Sequence, residues 1–311
     1  MLKYLIQLFL ICSFSSCSSP SHEKVMSHWP NGQIKQLKVY SSLEEVDGPN
    51  YVESYFHENG QLESRGEYQG NEKIGIWQSW YANGQIKTES TYLNGRKEGS
   101  FKQYFPNGQL AELSHYQEDK FQGLYESWDE TASLLKKGQY QLSRKLGIWI
   151  EMEPEQGLYK VSRYNDSGIL VQEMSCKEQE AKTLYWMHAY DDGELAEQGQ
   201  YQFNFALVSL FTEFSDQAPH ELFDVLIQKI VKEGQKKGSW LHYYHQGSQM
   251  KEVVYSLGER ELKSYWYESG FQAVDNGEGQ IEIDSAGFSY LDSFQAELEA
   301  HGQYENGKLK Q

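Results

Sequence analysis

One pattern limits what this chain can fold into more than any other: residues 68–149 repeat with a period of 24. Three kinds of residue recur in this frame, namely a tyrosine, a glycine, and an aromatic residue two places after the glycine. The members are Tyr68, Tyr92, Tyr116 and Tyr140; Gly75, Gly99, Gly123 and Gly147; and Trp77, Phe101, Tyr125 and Trp149. A fixed period of this length indicates supersecondary units that stack on one another.

The residues inside one unit predict a β-hairpin. Asn83-Gly84 separates two runs of alternating residues, and Asn-Gly in that context is the strongest short-range signal for a type I′ turn. If these two residues form the loop, Tyr81 lies opposite Ile86. Counting back along both strands then places Trp77 opposite Ser90.

The recurring positions fall on one face of the predicted hairpin, because side chains alternate along a strand. This face, which we expect to be the core, holds Gly75, Trp77, Tyr81, Ile86 and Tyr92. Gly75 lies opposite Tyr92 in this register. We expect the missing Cβ of the glycine to leave room for the tyrosine ring.

The combined pattern YxNGxxxxxxxYxxGxxxGxW resembles the bacterial variant of the MORN repeat, and it extends over most of residues 29–311. The resemblance implies an all-β fold, in which antiparallel hairpins of about 24 residues form one elongated, curved sheet. Terminal repeats of such arrays are often degenerate, as the sequence after Asn276-Gly277 is.

The N-terminus has the pattern of an export signal. Lys3 precedes the apolar run 4–11, which is too short to span a bilayer. Phe14-Ser15-Ser16-Cys17 then resembles the lipobox of a bacterial lipoprotein, which implies that Cys17 is the lipid attachment site. An ordinary cleaved signal peptide is the alternative. By the family's sorting rule, Ser18 in place of aspartate favours the outer membrane.

These features predict three segments. Residues 1–16 form the signal peptide, residues 17–28 a lipid-anchored tether, and residues 29–311 the hairpin repeat domain. The segment 203–233 is irregular. Leu222, Leu226 and similar apolar residues there recur at helical spacing, but residues 234–240 repeat the connector of residues 95–101, which should follow a strand. We favour a strand.

Charge and cysteine content exclude some partners. The formal net charge of −17 repels nucleic acid and anionic lipid, so no nucleic-acid partner is expected. The chain has three cysteines, Cys12, Cys17 and Cys176. The first would be lost with the signal peptide and the second would carry lipid. Cys176 is then alone, and we expect a buried structural thiol.

The search for catalytic chemistry yields little. The sequence contains no phosphate-binding or nucleophile motif, and we predict no enzyme, no cofactor and no metal. His242 and His245 are three residues apart, which sends their side chains to opposite faces of a strand. The acidic stretches 191–194 and 275–278 lack the spacing of a calcium-binding loop and fit hairpin turns.

A second aromatic series remains. Trp80, Tyr104 and Trp128 also recur every 24 residues, on the face opposite Trp77, and their neighbours there are polar. One interpretation is a second packing layer. The other is an exposed row that binds a peptide or glycan, which we take as the candidate partner site.

The prediction is therefore a non-enzymatic scaffold, lipid-anchored in the cell envelope, that binds an envelope protein or glycan. An antitoxin is an alternative, because bacterial proteins with these repeats are often labelled as antitoxin components. An exported lipoprotein could not reach a cytosolic toxin, however. A glycan hydrolase is a third candidate, and it would need a pair of carboxylates in a groove.

Overall fold

The structure is a computed structural model. It describes residues 21–204, 206–213, 218–256, 259–266, 272–275, 278–281, 302–305 and 308–309. The predicted signal peptide, Cys17 and the first residues of the tether lie outside the described residues, as does Asn276-Gly277.

The described part of the chain is built from β-strands with two inserted α-helices. The strands are, in order, β1 His22–His28, β2 Ile34–Tyr40, β3 Tyr51–Phe56, β4 Leu62–Gln69, β5 Glu72–Trp80, β6 Ile86–Leu93, β7 Arg96–Tyr104, β8 Leu110–Gln117, β9 Lys120–Trp128, β10 Leu134–Gln141 and β11 Arg144–Glu153. They continue with β12 Leu158–Tyr164, β13 Leu170–Lys177, β14 Thr183–Ala189, β15 Leu195–Gln202, β16 Gln235–Tyr243, β17 Gln249–Ser256, β18 Glu259–Trp266, β19 Gln272–Asp275, β20 Glu278–Ile281, β21 Gly302–Glu305 and β22 Lys308–Leu309. The helices are α1 Val208–Glu213 and α2 Pro219–Glu233.

The chain divides into two compact units. The first contains the described residues up to 111 together with 116–119, and the second contains 112–115 and the described residues from 120 onward. In the first unit the strands β1 to β7 pair antiparallel in succession, from β1 with β2 to β6 with β7. In the second unit the same is true from β9 to β22. The predicted all-β fold of antiparallel hairpins is confirmed.

In the hairpin of β5 and β6, the predicted register is confirmed far from the turn and is wrong next to the turn. Trp77 pairs with Ser90 as expected, but Ile86 lies opposite Trp80 and not opposite Tyr81. The reason is the turn. The Gly84 N–H donates to the Tyr81 carbonyl at 2.8 Å, and Gly84 but not the preceding asparagine has positive φ. A three-residue loop with a glycine bulge therefore replaces the type I′ turn, and Ile86 shares the face of Trp80.

The recurring glycines have a different role from the one that the sequence predicts. Gly75 does lie opposite Tyr92, but a Cβ built on Gly75 meets no atom within 4 Å. Its backbone has φ +63°, and Gly99 has φ +85°. Side chains are disfavoured in this conformation, so these glycines are required by the backbone and not by the tyrosine ring.

The repeat array begins earlier than predicted. Residues 22–28, assigned to the tether, form β1 and pair with β2 from His22 opposite Tyr40 to His28 opposite Ile34. The strand is mostly exposed, with Val25 and Met26 about 40% accessible. An exposed strand has a weak hydrophobic pattern, which explains why the sequence does not reveal it.

The expected strand within 203–233 is wrong. Pro219 opens α2 at its first turn, and Leu222, Leu226 and Ile230 are buried on one side of the helix. The helical spacing of apolar residues was the correct signal. The connector that starts at Gly234 does lead into a repeat strand, β16, but the strand that pairs with it is β15, before the helices.

In the second unit the orientation of the repeats changes between β11 and β14. The bulged turn at residues 129–132 follows β9, whereas the turns of the same hydrogen-bond pattern at 165–168 and 190–193 follow β12 and β14. Because successive strands run in opposite directions, turns after odd and after even strands lie at opposite edges. The later repeats are thus rotated by half a turn.

The two faces of the second unit can be followed through paired residues. Trp149, Ser162, Glu173, Met187 and Gln198 are paired in succession and share one face, which we call the ladder face. The opposite face, which we call the helix face, contains Ile150, Val161, Met174, Trp186 and Gly199. The largest hydrophobic cluster lies on the helix face, so the core is not restricted to the face of Trp149.

Candidate functional site

Three tryptophans of the array each lie over a glycine of the preceding strand. A Cβ atom on that glycine would fall 2.0–2.2 Å from the indole ring, a distance that real Cβ atoms do not show. The pairs are Gly66 with Trp77, Gly138 with Trp149, and Gly199 with Trp240. Where the ring is the smaller Phe101, the facing residue is Ser90. The size of the ring therefore determines the residue that it covers.

The same tryptophans are fixed by polar contacts. Each indole N–H donates to the carbonyl of the residue that follows the covered glycine, at 3.1–3.3 Å. Each ring also has a lysine ammonium 3.9–4.7 Å from its centroid, and the lysines are Lys73, Lys145 and Lys236. Tyrosines complete the packing, as Tyr140 does with Trp149 at 4.7 Å. These residues stabilise the repeats and leave no free ring for a ligand.

The first unit has a polar row on the face opposite Trp77. Arg65 lies opposite Gln78, the Gln78 amide donates to Glu89 at 2.9 Å, and the Lys102 ammonium lies 3.8 Å from Glu89. Gln78, Glu89 and Lys102 thus interact across three strands, and Arg65 extends the row to a fourth. We call this side of the first unit the open face.

Aromatic and aliphatic side chains flank the polar row on the open face. Trp80 and Tyr104 are half-buried, and Ile76 is 61% exposed. Their backbone is held by side chains of earlier turns, because His57 Nε2 lies 2.9 Å from the Trp80 carbonyl oxygen and the Tyr81 hydroxyl donates to the Tyr104 carbonyl at 2.8 Å. The result is a rigid amphipathic surface.

The equivalent positions of the second unit are covered by the chain itself. The frame position of Gln78 and Lys102 holds Ile150, which is fully buried. Helix α2 packs on β11 and β12 there. Trp128 packs against the hydrophobic cluster that contains Ile150. Leu134, which pairs with Trp128 on β10, belongs to this cluster and is 7% exposed. The predicted row is therefore divided: Trp128 packs against the core of the second unit, while Trp80 and Tyr104 lie on the open face.

In the first unit a glutamate replaces the recurring aromatic residue at one position of the 24-residue frame. Glu53, 24 residues before Trp77, is 6% exposed and accepts a hydrogen bond from the Gln36 amide at 2.7 Å. Tyr68 also bonds to this carboxylate, and burial raises the pKa of Tyr68 to about 12. Lys38 lies opposite Glu53 on β2. The Glu53 carboxylate is thus compensated.

Glu173 on β13 holds the position that Glu89 has in its own hairpin, because it lies eight residues after Asn165, the first residue of its turn, as Glu89 does after Tyr81. It is half-buried, and its carboxylate accepts a hydrogen bond from the Ser162 hydroxyl at 3.3 Å. A cleft of about 270 Å³ lies beside it. Sequence reasoning missed this site, and the sequence pattern around Glu173 gives no signal that would have found it.

The two histidines of the sequence analysis have separate surroundings. His242 is 4% exposed, with Nδ1 3.4 Å from a Glu197 carboxylate oxygen. Burial lowers the pKa of His242 to about 3, with a further contribution from the charges of Lys251 and Lys236. The imidazole is neutral at physiological pH.

His245 lies at a surface turn. Its Nε2 is 2.7 Å from Asp192, and Glu194 completes a trio of potential metal ligands whose atoms lie within 4.8 Å of one another. All three residues are exposed. Asp192 also accepts the Glu194 N–H at 3.0 Å, as in an ordinary hairpin turn. The geometry adds nothing that requires a metal.

Cys176 is fully buried in the cluster of the helix face, and burial raises the pKa of its thiol to about 12. The expected structural thiol is confirmed. Within the described residues, no helix has the length and apolar character needed to cross a membrane.

Comparison with known proteins identifies part of the array. Residues 52–69, 73–94 and 97–118 match the MORN repeat variant. No curated protein matches the chain. Among solved structures, the pore form of the Tc holotoxin of Photorhabdus luminescens is similar at 9% identity over 94% of this chain, with a TM-score of 0.18. This chain spans 16% of the length of that one, and a TM-score this low carries no argument.

Proposed function

Residues 52–118 are three consecutive MORN repeat variants, modules that generally mediate protein or membrane interaction, and on that premise we propose that the chain is a non-enzymatic scaffold that binds a partner protein on its open face. The partner site is the surface around Ile76, Trp80 and Tyr104. The proposed occupant is an amphipathic helix of an envelope protein.

The observation that carries this proposal is the difference between equivalent faces. In the second unit the helix face is covered by α2, whose Leu222, Leu226 and Ile230 are buried. In the first unit Ile76 keeps 61% of its surface exposed. Exposed apolar groups with a polar surround are typical of protein interaction sites. Helix α2 shows that this face of the repeats can pack against an amphipathic helix.

The charge pattern of the open face specifies the helix further. The polar row consists of charged and amide side chains, so a purely apolar helix would bury them at a cost. A helix with apolar residues at positions i, i+3, i+4 and i+7 and with charged flanks can contact the aromatic residues and leave the row solvated. We therefore expect a helix with a narrow apolar stripe.

The test is a binding comparison with matched variants. The Trp80→Ala/Tyr104→Ala protein and a Leu43→Ala/Leu93→Ala control would be used to capture partners from envelope extract. Leu43 and Leu93 are 69% and 56% exposed, so the control also removes exposed apolar surface. Loss of the captured protein with the first variant alone, at unchanged melting temperature, supports the proposal, since aromatic anchors often contribute about 2 kcal/mol or more.

Two outcomes would contradict the partner site. A large fall in melting temperature for Trp80→Ala/Tyr104→Ala would make these rings part of the core. Unchanged capture by a folded variant would remove the site from the open face. If the bound partner segment were not helical, the proposed helix would be wrong, while the open face would remain the partner site.

We further propose that Cys17 is acylated and anchors the scaffold in the outer membrane, which is where an envelope partner would be met. The support is the lipobox-like sequence that ends at Cys17. Two or three acyl chains would make anchoring effectively permanent. Cys17→Ser should release the protein from the membrane fraction, and retention of the variant would refute the anchor.

The hydrolase alternative gains no support from the cleft. Glycoside hydrolysis uses a pair of carboxyl groups, and Glu173 is the one acidic residue among those that line the cleft.

A further inference from the structure

The carboxylate of Glu173 lacks the ammonium partner that Glu151 and Glu126 of the second unit have. Glu151 has the Lys145 ammonium at 2.8 Å, and Glu126 has the Lys137 ammonium at 3.1 Å. Among the described residues, no lysine or arginine forms an ion pair with Glu173, which has only the Ser162 hydroxyl. A half-buried carboxylate without a cation is costly unless something else pairs with it.

The contrast with Glu89, which holds the equivalent position in its own hairpin, shows that this feature belongs to the site and not to the position in the repeat. Glu89 lies eight residues after Tyr81 and Glu173 eight residues after Asn165, and these two residues begin turns of the same hydrogen-bond pattern. Glu89 accepts a hydrogen bond from the Gln78 amide at 2.9 Å and has the Lys102 ammonium at 3.8 Å. Glu173 instead borders a cleft.

The walls of the cleft combine hydrogen-bonding groups with an apolar surface. Gln198, Gln200 and Tyr185 contribute amide and hydroxyl groups, and Met187 and Leu241 contribute apolar side chains. The volume of about 270 Å³ is just below the range for small-molecule sites, about 300 Å³ upward. A single long side chain fits these dimensions better than a cofactor does.

We infer that this cleft binds a basic side chain, the ammonium of a lysine or the guanidinium of an arginine, presented by a peptide. The aliphatic stem would lie on Met187 and Leu241, and the cation would pair with Glu173. A charge-assisted pair at this depth supplies specificity for a cation over a neutral amide. The site goes beyond the proposed partner surface, since it uses other residues and another element of recognition.

A neighbouring lysine does not fill this role. Lys160 lies opposite Ser175 on the adjacent strand, but its ammonium is 3.8 Å from Glu153 and is already paired. The chain's overall charge of −17 also attracts basic peptides at long range.

The experiment uses the methyl group of Met187 as a reporter. Protein labelled with ¹³C at methionine methyl groups would be titrated with the peptide amides Ac-Gly-Lys-Gly and Ac-Gly-Arg-Gly, and with Ac-Gly-Gln-Gly as the neutral control. The Met187 resonance should shift saturably with the basic peptides. Met26, exposed on β1, should not move and serves as the internal reference.

Two substitutions test the role of the carboxylate. Glu173→Gln keeps the shape and removes the charge, and should weaken binding by about tenfold. Glu173→Lys places a tethered ammonium in the cleft and should abolish the shift. The matched control is Glu155→Gln, an exposed glutamate of the same unit, which should leave the affinity unchanged.

Several results would overturn the inference. They are a Met187 shift that is equal for the glutamine peptide, an affinity unaffected by Glu173→Gln in a protein with wild-type melting temperature, or no saturable shift with either basic peptide. If Glu155→Gln weakened binding as much as Glu173→Gln does, the affinity would come from the overall negative charge of the chain and not from the cleft.

Discussion

The packing of indole rings on glycine makes Gly138→Ala a sharp perturbation. The new Cβ would lie 2.2 Å from the Trp149 ring, which is 1% exposed, so the ring must move. It would lose burial and the hydrogen bond to the Gln139 carbonyl at 3.1 Å. Removing a buried aromatic ring costs about 3–5 kcal/mol, and the alanine returns about 0.4–1 kcal/mol through the unfolded state. We expect the free energy of unfolding to fall by about 2–4 kcal/mol.

The assay is urea denaturation followed by circular dichroism, within a double-mutant cycle. In a Trp149→Ala background the collision is absent, and Gly138→Ala should be neutral or stabilising by up to about 1 kcal/mol. Gly147→Ala is the matched control, because Gly147 has φ +65° and open space around its Cβ direction. It should cost about 1–3 kcal/mol in both backgrounds through backbone strain. An equal cost of Gly138→Ala in both backgrounds would refute the packing argument.

Three further predictions follow from local features. Ala132 has φ +66° in the turn after β9, so Ala132→Gly should raise the free energy of unfolding by about 0.5–1 kcal/mol in the same assay; a loss of stability would contradict the turn geometry. The pKa of His242 is about 3 in the folded protein against 6.5 for an ordinary histidine, so the unfolded state binds more protons between these values. Stability should therefore fall below pH 6.5, by up to about 1.4 kcal/mol per pH unit, and His242→Gln should flatten this slope; an unchanged slope would show that His242 is not buried neutral. Cys176 should resist thiol reagents in the native protein and react fully in urea, and rapid native labelling would mean that the helix face is open.

The strand register of the hairpin is predicted correctly at positions that recur every 24 residues. Trp77 opposite Ser90 is confirmed because alternation propagates the register along both strands. Near the turn the prediction shifts by one residue. Both kinds of loop place Gly84 at positive φ, so the dipeptide alone does not distinguish them.

The interaction surface is less predictable, because periodicity records which positions are equivalent and not what covers them. Trp128 recurs with Trp80, yet the chain covers the face of Trp128 with a helix inserted between β15 and β16. The sequence does contain a signal of this covering: the frame position that holds Gln78 in the first unit holds the apolar Ile150 in the second. The inverted orientation of the later repeats does have a signal in the spacing, because the turn at 165 follows the turn at 129 by 36 residues, one and a half periods, and three strands lie between them.

The central claim is that the first unit's open face is a surface for a partner, and radical footprinting tests it most directly. In purified protein, Trp80 and Tyr104 should be oxidised much faster than Trp149 and Trp240, which are 1% and 0% exposed. In intact cells Trp80 and Tyr104 should become several-fold protected, while Met26 keeps its reactivity. Equal oxidation of Trp80 and Tyr104 in purified protein and in cells would contradict the account.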